Sequence, residues 1–595
     1  MNTPHRLGAW PRDGGAQFAV WSDKGTPISI RWRDTSGASG VLPLAEDPSH
    51  PHLWLGFQPG LLVGASYEVL VGDRGAVGPY ARSLPTGVHG PAQIIAPLKR
   101  GQHGKRRIDL RRGEVFYELH VGAFTPEGTF RAASSRLGHL VELGVTVIEI
   151  MPVAAFAGKR GWGYDGVALL APFAPYGSVD DLAELVDLAH GLGMSVILDV
   201  VYNHLGPDGN YLPAFSESYF DRERENPWGK APAFDQLAFR HLVVESARYW
   251  LQEVGFDGLR LDATHELEPG GDPHILRDLA ELAQSCDPPA FLVAEDDRND
   301  PGKLFAHGID AVWSDDFHHS IHVLLTSEQD GYYSAYQGDL AELARIIERR
   351  YLYEGQVFPP TGKPRGKPGA SLPPERFVYA LQNHDQVGNR ANGERLHTLC
   401  DERQMRAVTL LMFFLPTTPL LFMGQEMMAD SPFLYFTDHS GEIGAAITAG
   451  RRAEFAAFES FRNGQGDVPD PQDEATFIKS KLRWEHDART DAAFDFHRRA
   501  LALRRSDPGL NAPRDIRCGV EGPLLWVRSE NAAGIRLALF NIGGATTLWS
   551  VAGILAADAR LLFASDDARH DGAAFEVPAE TCVIYAVPPA STSAG

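Results

Sequence analysis

The chain reads as an α/β protein, a (β/α)8 barrel with a small β-sandwich at each end. Three observations point there. Eight apolar, strand-like runs recur between residues 114 and 426, amphipathic helix-like stretches lie between them, and several of the runs end in clusters of polar side chains. Strands alternating with helices indicate a parallel sheet covered on both faces. A doubly wound sheet is the competing fold, but it rarely needs eight strands and gives no reason for polar groups at so many strand ends. A barrel does, because it carries its chemistry at the C-terminal ends of its strands.

Residues 1–98 alternate aromatic and β-branched residues with polar ones, as in "AQFAVWS", "PISIRW" and "SYEVLV", and Gly and Pro punctuate them. This predicts an N-terminal β-sandwich of a carbohydrate-binding kind. The basic, polar stretch "KRGQHGKRRIDLRRG" (99–113) reads as a linker. The barrel spans 114–513, with strands expected at "EVFYELHV", "VTVIEIMPV", "SVILDVVYN", "GLRLDA", "AFLVAED", "AVWSDD", "FVYALQNHD" and "TPLLFMGQE". Between the first of these, "SRLGHLVELG" and "VDDLAELVDLAHGLG" are helical in period, and each closes on a Gly suited to a C-cap. The stretch 317–376 is too long for a simple strand-to-helix connection and is expected to form an excursion over the barrel mouth. From 514 to 595 the strand texture returns in "LLWVRS", "IRLALFNI", "TTLWSV", "RLLFAS" and "TCVIYAV", a C-terminal β-sandwich.

Composition removes several classes of function. The 595 residues are 44% hydrophobic, enough to bury large cores in several domains. With 55 basic and 77 acidic side chains the formal charge is -22, which argues against nucleic acid or an anionic membrane as partner. Cys286, Cys400, Cys518 and Cys582 lie far apart with no paired spacing, so neither a zinc site nor a disulfide framework is expected. With no signal-like N-terminus and no apolar run of membrane-spanning length, the reading is a reduced, cytoplasmic enzyme. No cofactor and no metal is expected. "PDGNYL" (207–212) has the look of a calcium loop but lacks the further acidic ligands and the terminal Glu, so it reads as a turn.

The strand ends carry the chemistry. Strand three ends "DVVYNH", with Asp199, Asn203 and His204; strand four ends "GLRLDATH", with Arg260, Asp262 and His265. Strand five ends "VAEDD" with Glu295, and strand seven ends "LQNHDQ" with His384 and Asp385. Arg260 and Asp262, two apart, project from one face of a strand, and a guanidinium beside a carboxylate lowers its pKa, as a nucleophile requires. Glu295 is followed by Asp296 and Asp297 and faces Asp262 and Asp385 across the mouth. Like charge and partial burial should raise its pKa, as a general acid requires. Two carboxyl groups with separated pKa values are the equipment of glycoside hydrolysis. A lone Asp at a strand end is usually a cap or turn residue, and a lone His a satisfied structural one. The joint pattern over four strands argues otherwise.

"DVVYNH", "GLRLDATH", "VAED" and "LQNHDQ" resemble, in order and barrel position, the four motifs of the α-amylase superfamily, the retaining α-glucan enzymes. The resemblance implies Asp262 as nucleophile, Glu295 as acid/base and Asp385 as the carboxylate that clamps the sugar hydroxyls. It implies Arg260, His204 and His384 as groups holding the nucleophile and the glucose, Asp199 as support for Arg260, and Asn203 as structural. The front sandwich and "GWGYDGVALLAPFAPYG" (161–177) resemble the branching-enzyme and isoamylase side, where Tyr164 would stack on the glucose; packing within a barrel loop is the plainer reading of Tyr164. "VWSDDFHHSIHVLLTSEQDGYY", "GRRAEFAAF", "VPDPQDEATFIKSKLRW" and "LFMGQE" look like the maltooligosyltrehalose trehalohydrolase family, over nearly the whole chain. That implies an α-glucan oligosaccharide substrate cut at the α-1,4 bond next to a terminal trehalose, with His318 and His319 of "DDFHH" helping to line the sugar site. Thr264-His265 departs from the Lys-His of many α-amylases and suggests altered leaving-group contacts, with His265 among them. A branching or debranching α-glucan enzyme shares the three carboxylates and the front sandwich. An inactive glucan-binding module would lack one of the three, and all are present.

Overall fold

The computed structural model describes residues 6–99, 101–226, 228–455, 468–511, 515–549, 559–566 and 575–587. Eight parallel strands close into a barrel: β1 (Phe116–Leu119), β2 (Val147–Ile150), β3 (Ser195–Val200), β4 (Gly258–Leu261), β5 (Phe291–Ala294), β6 (Ala311–Trp313), β7 (Phe377–Ala380) and β8 (Thr418–Phe422). β8 pairs back onto β1, with Phe116 opposite Leu420. Each of the eight expected runs contains one of these strands.

The strand period of two sorts the side chains into layers. Phe116, Val147, Ile197, Phe291, Val293, Ala311, Trp313, Val378 and Leu420 form one buried apolar cluster inside the barrel. Two residues further along the same inward phase come Glu118, Glu149, Asp199 and Glu295, with Arg260 opposite Asp199 in the ladder. The lumen is therefore apolar at its base and charged towards its C-terminal end. That change of chemistry along one phase creates the site.

The helices form where the sequence pattern and caps place them. Helix Leu137–Leu143 stops at Gly144, whose φ of 105° is a left-handed conformation that suits glycine. Helix Val179–Gly191 starts at a capping box in which Ser178 and Asp181 each accept the other's backbone N–H. Helix Ala488–Ser506 closes the outer ring by packing against Leu137–Leu143 and Glu402–Phe414.

Two sheets precede the barrel. One contains Gly8–Arg12, Gly15–Trp21, Leu53–Pro59 and Ala45–Glu46; the other contains Ser39–Pro43, Ile28–Arg33, Ser66–Val71 and Arg74–Ala76. They meet through residues such as Phe18 and Tyr67, whose rings lie 5.4 Å apart. The front sheets touch the barrel where Ser22 Oγ donates to the Phe215 carbonyl and Tyr80 meets His241. A five-stranded sheet and the pair Thr547–Trp549 with Phe575–Val577 follow the barrel. The last two residues of "TTLWSV" and the end of "GRRAEFAAF" lie outside the described residues. No helix among the described residues is long and apolar enough to cross a membrane.

The connection from β6 to β7 is folded rather than irregular. It holds helices Asp315–Thr326 and Leu340–Arg349 and a short hairpin, Val357–Phe358 with Lys363–Pro364. One buried carboxylate gathers it. Asp316 accepts hydrogen bonds from Asn299 Nδ2 (2.9 Å), the Tyr336 hydroxyl (2.6 Å) and the Leu352 backbone N–H (2.7 Å). Beyond the hairpin, Arg365 donates to the Asp297 carbonyl, and the Lys367 N–H to that of Asn299. The segment thus lies against the loop after β5, at the mouth. Replacing Asp316 with Ala orphans several buried donors at about 1 to 3 kcal/mol each. The variant should show a lower thermal midpoint and new protease cleavage between residues 327 and 365. Unchanged cleavage would mean that other contacts hold the segment.

Candidate active site

Arg260 is the centre of the mouth. Its side chain is fully buried at the end of β4, and its guanidinium lies over the Trp313 ring, 4.4 Å from the centroid. Nη1 donates to both oxygens of Asp199 (3.0 Å each) and to Asp262 Oδ1 (2.7 Å), while Nη2 donates to Glu295 Oε2 (2.9 Å). One cation holds three carboxyl groups from three adjacent strands.

The three acids respond differently. Burial pushes the Asp262 carboxyl upward, but Arg260 and a hydrogen bond from Asn203 Nδ2 (2.8 Å) outweigh it and hold it below the usual carboxylate value. Burial pushes Glu295 up to about 8, with the charges of Asp262 and Asp385 adding to it against the pull of Arg260. Burial also lifts Asp199, to about 6, against Arg260. The direction expected for Glu295 is right, but part of the expected cause is wrong. Asp296 turns away from Glu295, accepting from Arg298 Nε and N–H and from the Thr264 hydroxyl. Behind Asp262 the chain turns through Ala263 at φ 40°, a left-handed conformation uncommon outside glycine. The turn aims the Ala263 N–H at Glu295 Oε2, 3.0 Å away.

Asp385 follows β7 at the N-terminus of a short helix. Its side chain is 37% exposed, against 12% for Asp262 and 21% for Glu295, so it is the most open of the three. His384 is buried: its Nδ1 donates to Glu118 Oε1 (2.6 Å), and its Nε2 lies 2.7 Å from the Tyr164 hydroxyl and 3.5 Å from Asp385 Oδ1. Tyr164 stacks on the His384 ring and also reaches Asp199 Oδ2 at 2.7 Å. Beneath, Trp162 packs on Phe433, and a Cβ at Gly388 would come 2.1 Å from the Trp162 ring, so only glycine lets the helix after β7 approach so closely.

Asp199, Asn203, Tyr164, Arg260, Asp262, Glu295, His384 and Asp385 therefore meet at one mouth. The histidines expected there are placed less uniformly. His204 turns Nε2 to the Tyr164 carbonyl (2.7 Å) and Nδ1 to Asn203, so its nitrogens brace the protein. His318 is buried, with Nδ1 donating to the Leu381 carbonyl and Nε2 meeting the Tyr333 hydroxyl. It supports the wall behind β7, with both ring nitrogens taken up within the protein. His319 meets the Tyr336 hydroxyl at 3.1 Å and sits among Tyr332, Tyr333 and Tyr336. His265 stands half-buried at the rim, 3.5 Å from Asp297. Its neighbour Thr264 is wholly buried and ties the end of β4 to the Glu295 carbonyl.

Three residues at the site went unread in the sequence. Glu118 and Glu149 were hidden inside runs scored as apolar, although a charged residue on the inward phase of a strand was a usable signal. Trp228, 43% exposed, stacks flat on His204 with centroids 3.9 Å apart, and nothing in its local sequence marked it. His265, Asp296 and Asp297 bring potential metal-ligand atoms within 4.8 Å of one another, but the Asp296 carboxylate is already taken up by Arg298 and Thr264. In "PDGNYL", Asn210 accepts the Leu212 N–H, which is turn chemistry, and Asp208 pairs with His89 from the end of the front sheets.

Residues 83–228 match the family model described as alpha amylase, catalytic domain. A malto-oligosyltrehalose trehalohydrolase of Deinococcus radiodurans is 44% identical over 565 residues, with 90% of each chain covered. One from Saccharolobus solfataricus is 38% identical, covering 80% of this chain and 84% of that one. A branching enzyme of Marinobacter nauticus is more distant, at 26% identity over 69% of each chain. Among solved structures, a Salmonella typhimurium protein named "Putative alpha Amylase" superposes with a TM-score of 0.87 at 35% identity, covering 98% of this chain and 99% of that one. A pullulanase of Anoxybacillus at 16% identity shares the fold, with a TM-score of 0.73. With a barrel, a site and long-range likeness in agreement, the chain belongs to the malto-oligosyltrehalose trehalohydrolase family of α-amylase-type glycoside hydrolases.

Proposed function

We propose that this glycoside hydrolase cleaves the α-1,4-glucosidic bond next to the terminal trehalose of maltooligosyltrehalose, releasing trehalose and a shortened maltooligosaccharide. The observation that carries the chemistry is the pair of carboxyl groups clipped to one guanidinium with their proton affinities driven apart. Asp262, ionised, attacks the anomeric carbon. Glu295 Oε2 is occupied by Arg260 and the Ala263 N–H, which leaves Oε1 to carry the proton to the departing oxygen. After the leaving group departs, the same residue deprotonates water. Carboxyl groups clipped to one guanidinium suit the retaining spacing of about 5 to 5.5 Å better than the wider inverting one. Asp385, the most exposed of the three, is placed to grip two sugar hydroxyls, with the Tyr164 ring beside it.

The choice of bond rests on the relatives' activity and on the rim. His265, Asp297 and Arg365 line one side of it, and Arg365 comes from the β6–β7 excursion. Purified enzyme given maltooligosyltrehalose should yield trehalose, and should cut maltohexaose at least about a hundredfold less efficiently, as two or three unpaired hydrogen-bonding groups would require. Equal cutting of both substrates, or new branches in the product, would replace this reading with a general α-glucan hydrolase or a branching enzyme.

His265→Ala should narrow the ratio of kcat/KM between the two substrates while sparing hydrolysis of the plain glucan. A ratio unchanged by the substitution would remove His265 from trehalose recognition.

The pH profile has a definite shape. Glu295 works protonated, so kcat/KM should be present below, and lost as pH rises through, about 8. Asp262 works ionised, and its lowered pKa puts the acidic limb below the ordinary carboxylate range. Asp262→Asn should abolish turnover with the fold intact. Glu295→Gln should erase the basic limb and slow poor leaving groups far more than activated aryl glycosides; equal losses on both would show that Glu295 is not the acid.

A further inference from the structure

Glu118 lies in the middle of β1, fully buried, on the inward phase of the barrel. Its two carboxylate oxygens are spent on one residue: Oε2 accepts the His384 backbone N–H at 2.8 Å and Oε1 accepts His384 Nδ1 at 2.6 Å. A contact of that length between a ring nitrogen and a carboxylate requires a proton on Nδ1. The other ring nitrogen, Nε2, lies 2.7 Å from the Tyr164 oxygen, which also lies 2.7 Å from Asp199 Oδ2.

Tyr164 has one proton to share between those two neighbours. Asp199, paired with Arg260 through both oxygens, is an acceptor. The tyrosine proton therefore points at Asp199, since two lone-pair oxygens would not otherwise sit 2.7 Å apart. The Tyr164 oxygen is then left to accept, so Nε2 must also carry a proton. With Nδ1 and Nε2 both donating, His384 is an imidazolium. We propose that Glu118 is a positioning residue, the counter-ion that keeps His384 doubly protonated and so sets the hydrogen-bond direction through Tyr164 to Asp199 and Arg260.

The surroundings agree. From each packed element, the charged or titratable groups that face His384 are Glu118 on β1, Asp385 beside it, Glu149 on β2, Tyr164 after β2, Asp199 on β3, Arg260 on β4 and His120 after β1. Burial and Arg260 disfavour a charged ring, yet Asp385 and Glu118 outweigh them and lift it to about 10. His120 is held neutral by burial, near 4. Glu149 stands opposite Glu118 in the β1–β2 ladder, and both its oxygens are buried without a hydrogen-bond partner among the described residues. Burial and the Glu118 charge keep Glu149 protonated. Glu118 is thus the carboxylate that balances the imidazolium from below, at hydrogen-bond distance from Nδ1, while Asp385 shares the charge from the open side, 3.5 Å from Nε2.

The test reads the ring directly. Full-length protein carrying 15N-labelled histidine is compared at pH 8 with Glu118→Gln and Glu118→Asp, the His384 resonances being assigned by their loss in His384→Asn. Wild type and Glu118→Asp should show protons on both His384 nitrogens, and Glu118→Gln a neutral ring with one. Kinetically, Glu118→Gln should lose about a hundredfold in kcat with KM changed only a few-fold, the cost of a misaligned site, and Glu118→Asp should recover part of it. A neutral His384 in wild type at pH 8, or an imidazolium surviving in Glu118→Gln, overturns the proposal. The wild-type spectrum decides even if Glu118→Gln fails to fold. Only the kinetic arm rests on the proposed hydrolysis. If wild type releases no trehalose, that reading fails while the ring measurement still stands.

Discussion

A single buried guanidinium organises this enzyme. Arg260 is wholly buried and lies against Trp313, so its charge must be answered by carboxylates. Three are within reach, and three full negative charges around one positive charge at a largely buried site would repel one another. The surplus is relieved by protonation, and it falls on the acid least favoured by its surroundings. Asp262 keeps its charge because Asn203 and Arg260 both donate to it. Glu295, pushed up first by its burial and then by the two acids opposite, keeps its proton to about pH 8. The division of labour between nucleophile and acid follows from burial together with the charges around Arg260.

That charge layer exists because the inward phase of the barrel changes character along each strand. Ile197 and Asp199, or Val293 and Glu295, differ by one step of the same phase. The lower layer packs as core and lets the strands close. The upper layer is expensive to bury and is tolerated because its members satisfy one another. Two exceptions are Glu149, buried beside Glu118 and met by no donor among the described residues, and Arg260 Nε, which has no acceptor there.

Much of this was legible in the sequence. The eight runs read as strands because β-branched and aromatic residues filled both faces, and Arg260 with Asp262 could be put on one face by spacing alone. What could not be read was direction. His318 and His384 are both histidines near an apolar run, and only the folded chain turns one onto the Leu381 carbonyl and the other onto Glu118. Asp296 looked like a charge beside Glu295, but a strand sends consecutive side chains to opposite faces, and Arg298 and Thr264 receive it on the far side. Trp228 depends on a hairpin turn that brings it over His204, a contact with no local signature.

The carboxylate of Asp316 bears on how such a mouth can change over time. It reaches across 17 residues to Asn299, 20 to Tyr336 and 36 to Leu352. A free loop of the length between β6 and β7 would be held only at its ends, and every change within it would alter the whole ensemble. Pinned at intermediate points, it becomes several short loops, each with its own closure entropy, and that entropy grows only as the logarithm of length. Insertions between the pins therefore disturb their own segment and little else. The rim can be rewritten piece by piece while the charge layer beneath it keeps its geometry. A fold arranged this way can acquire a new specificity without passing through an inactive ancestor.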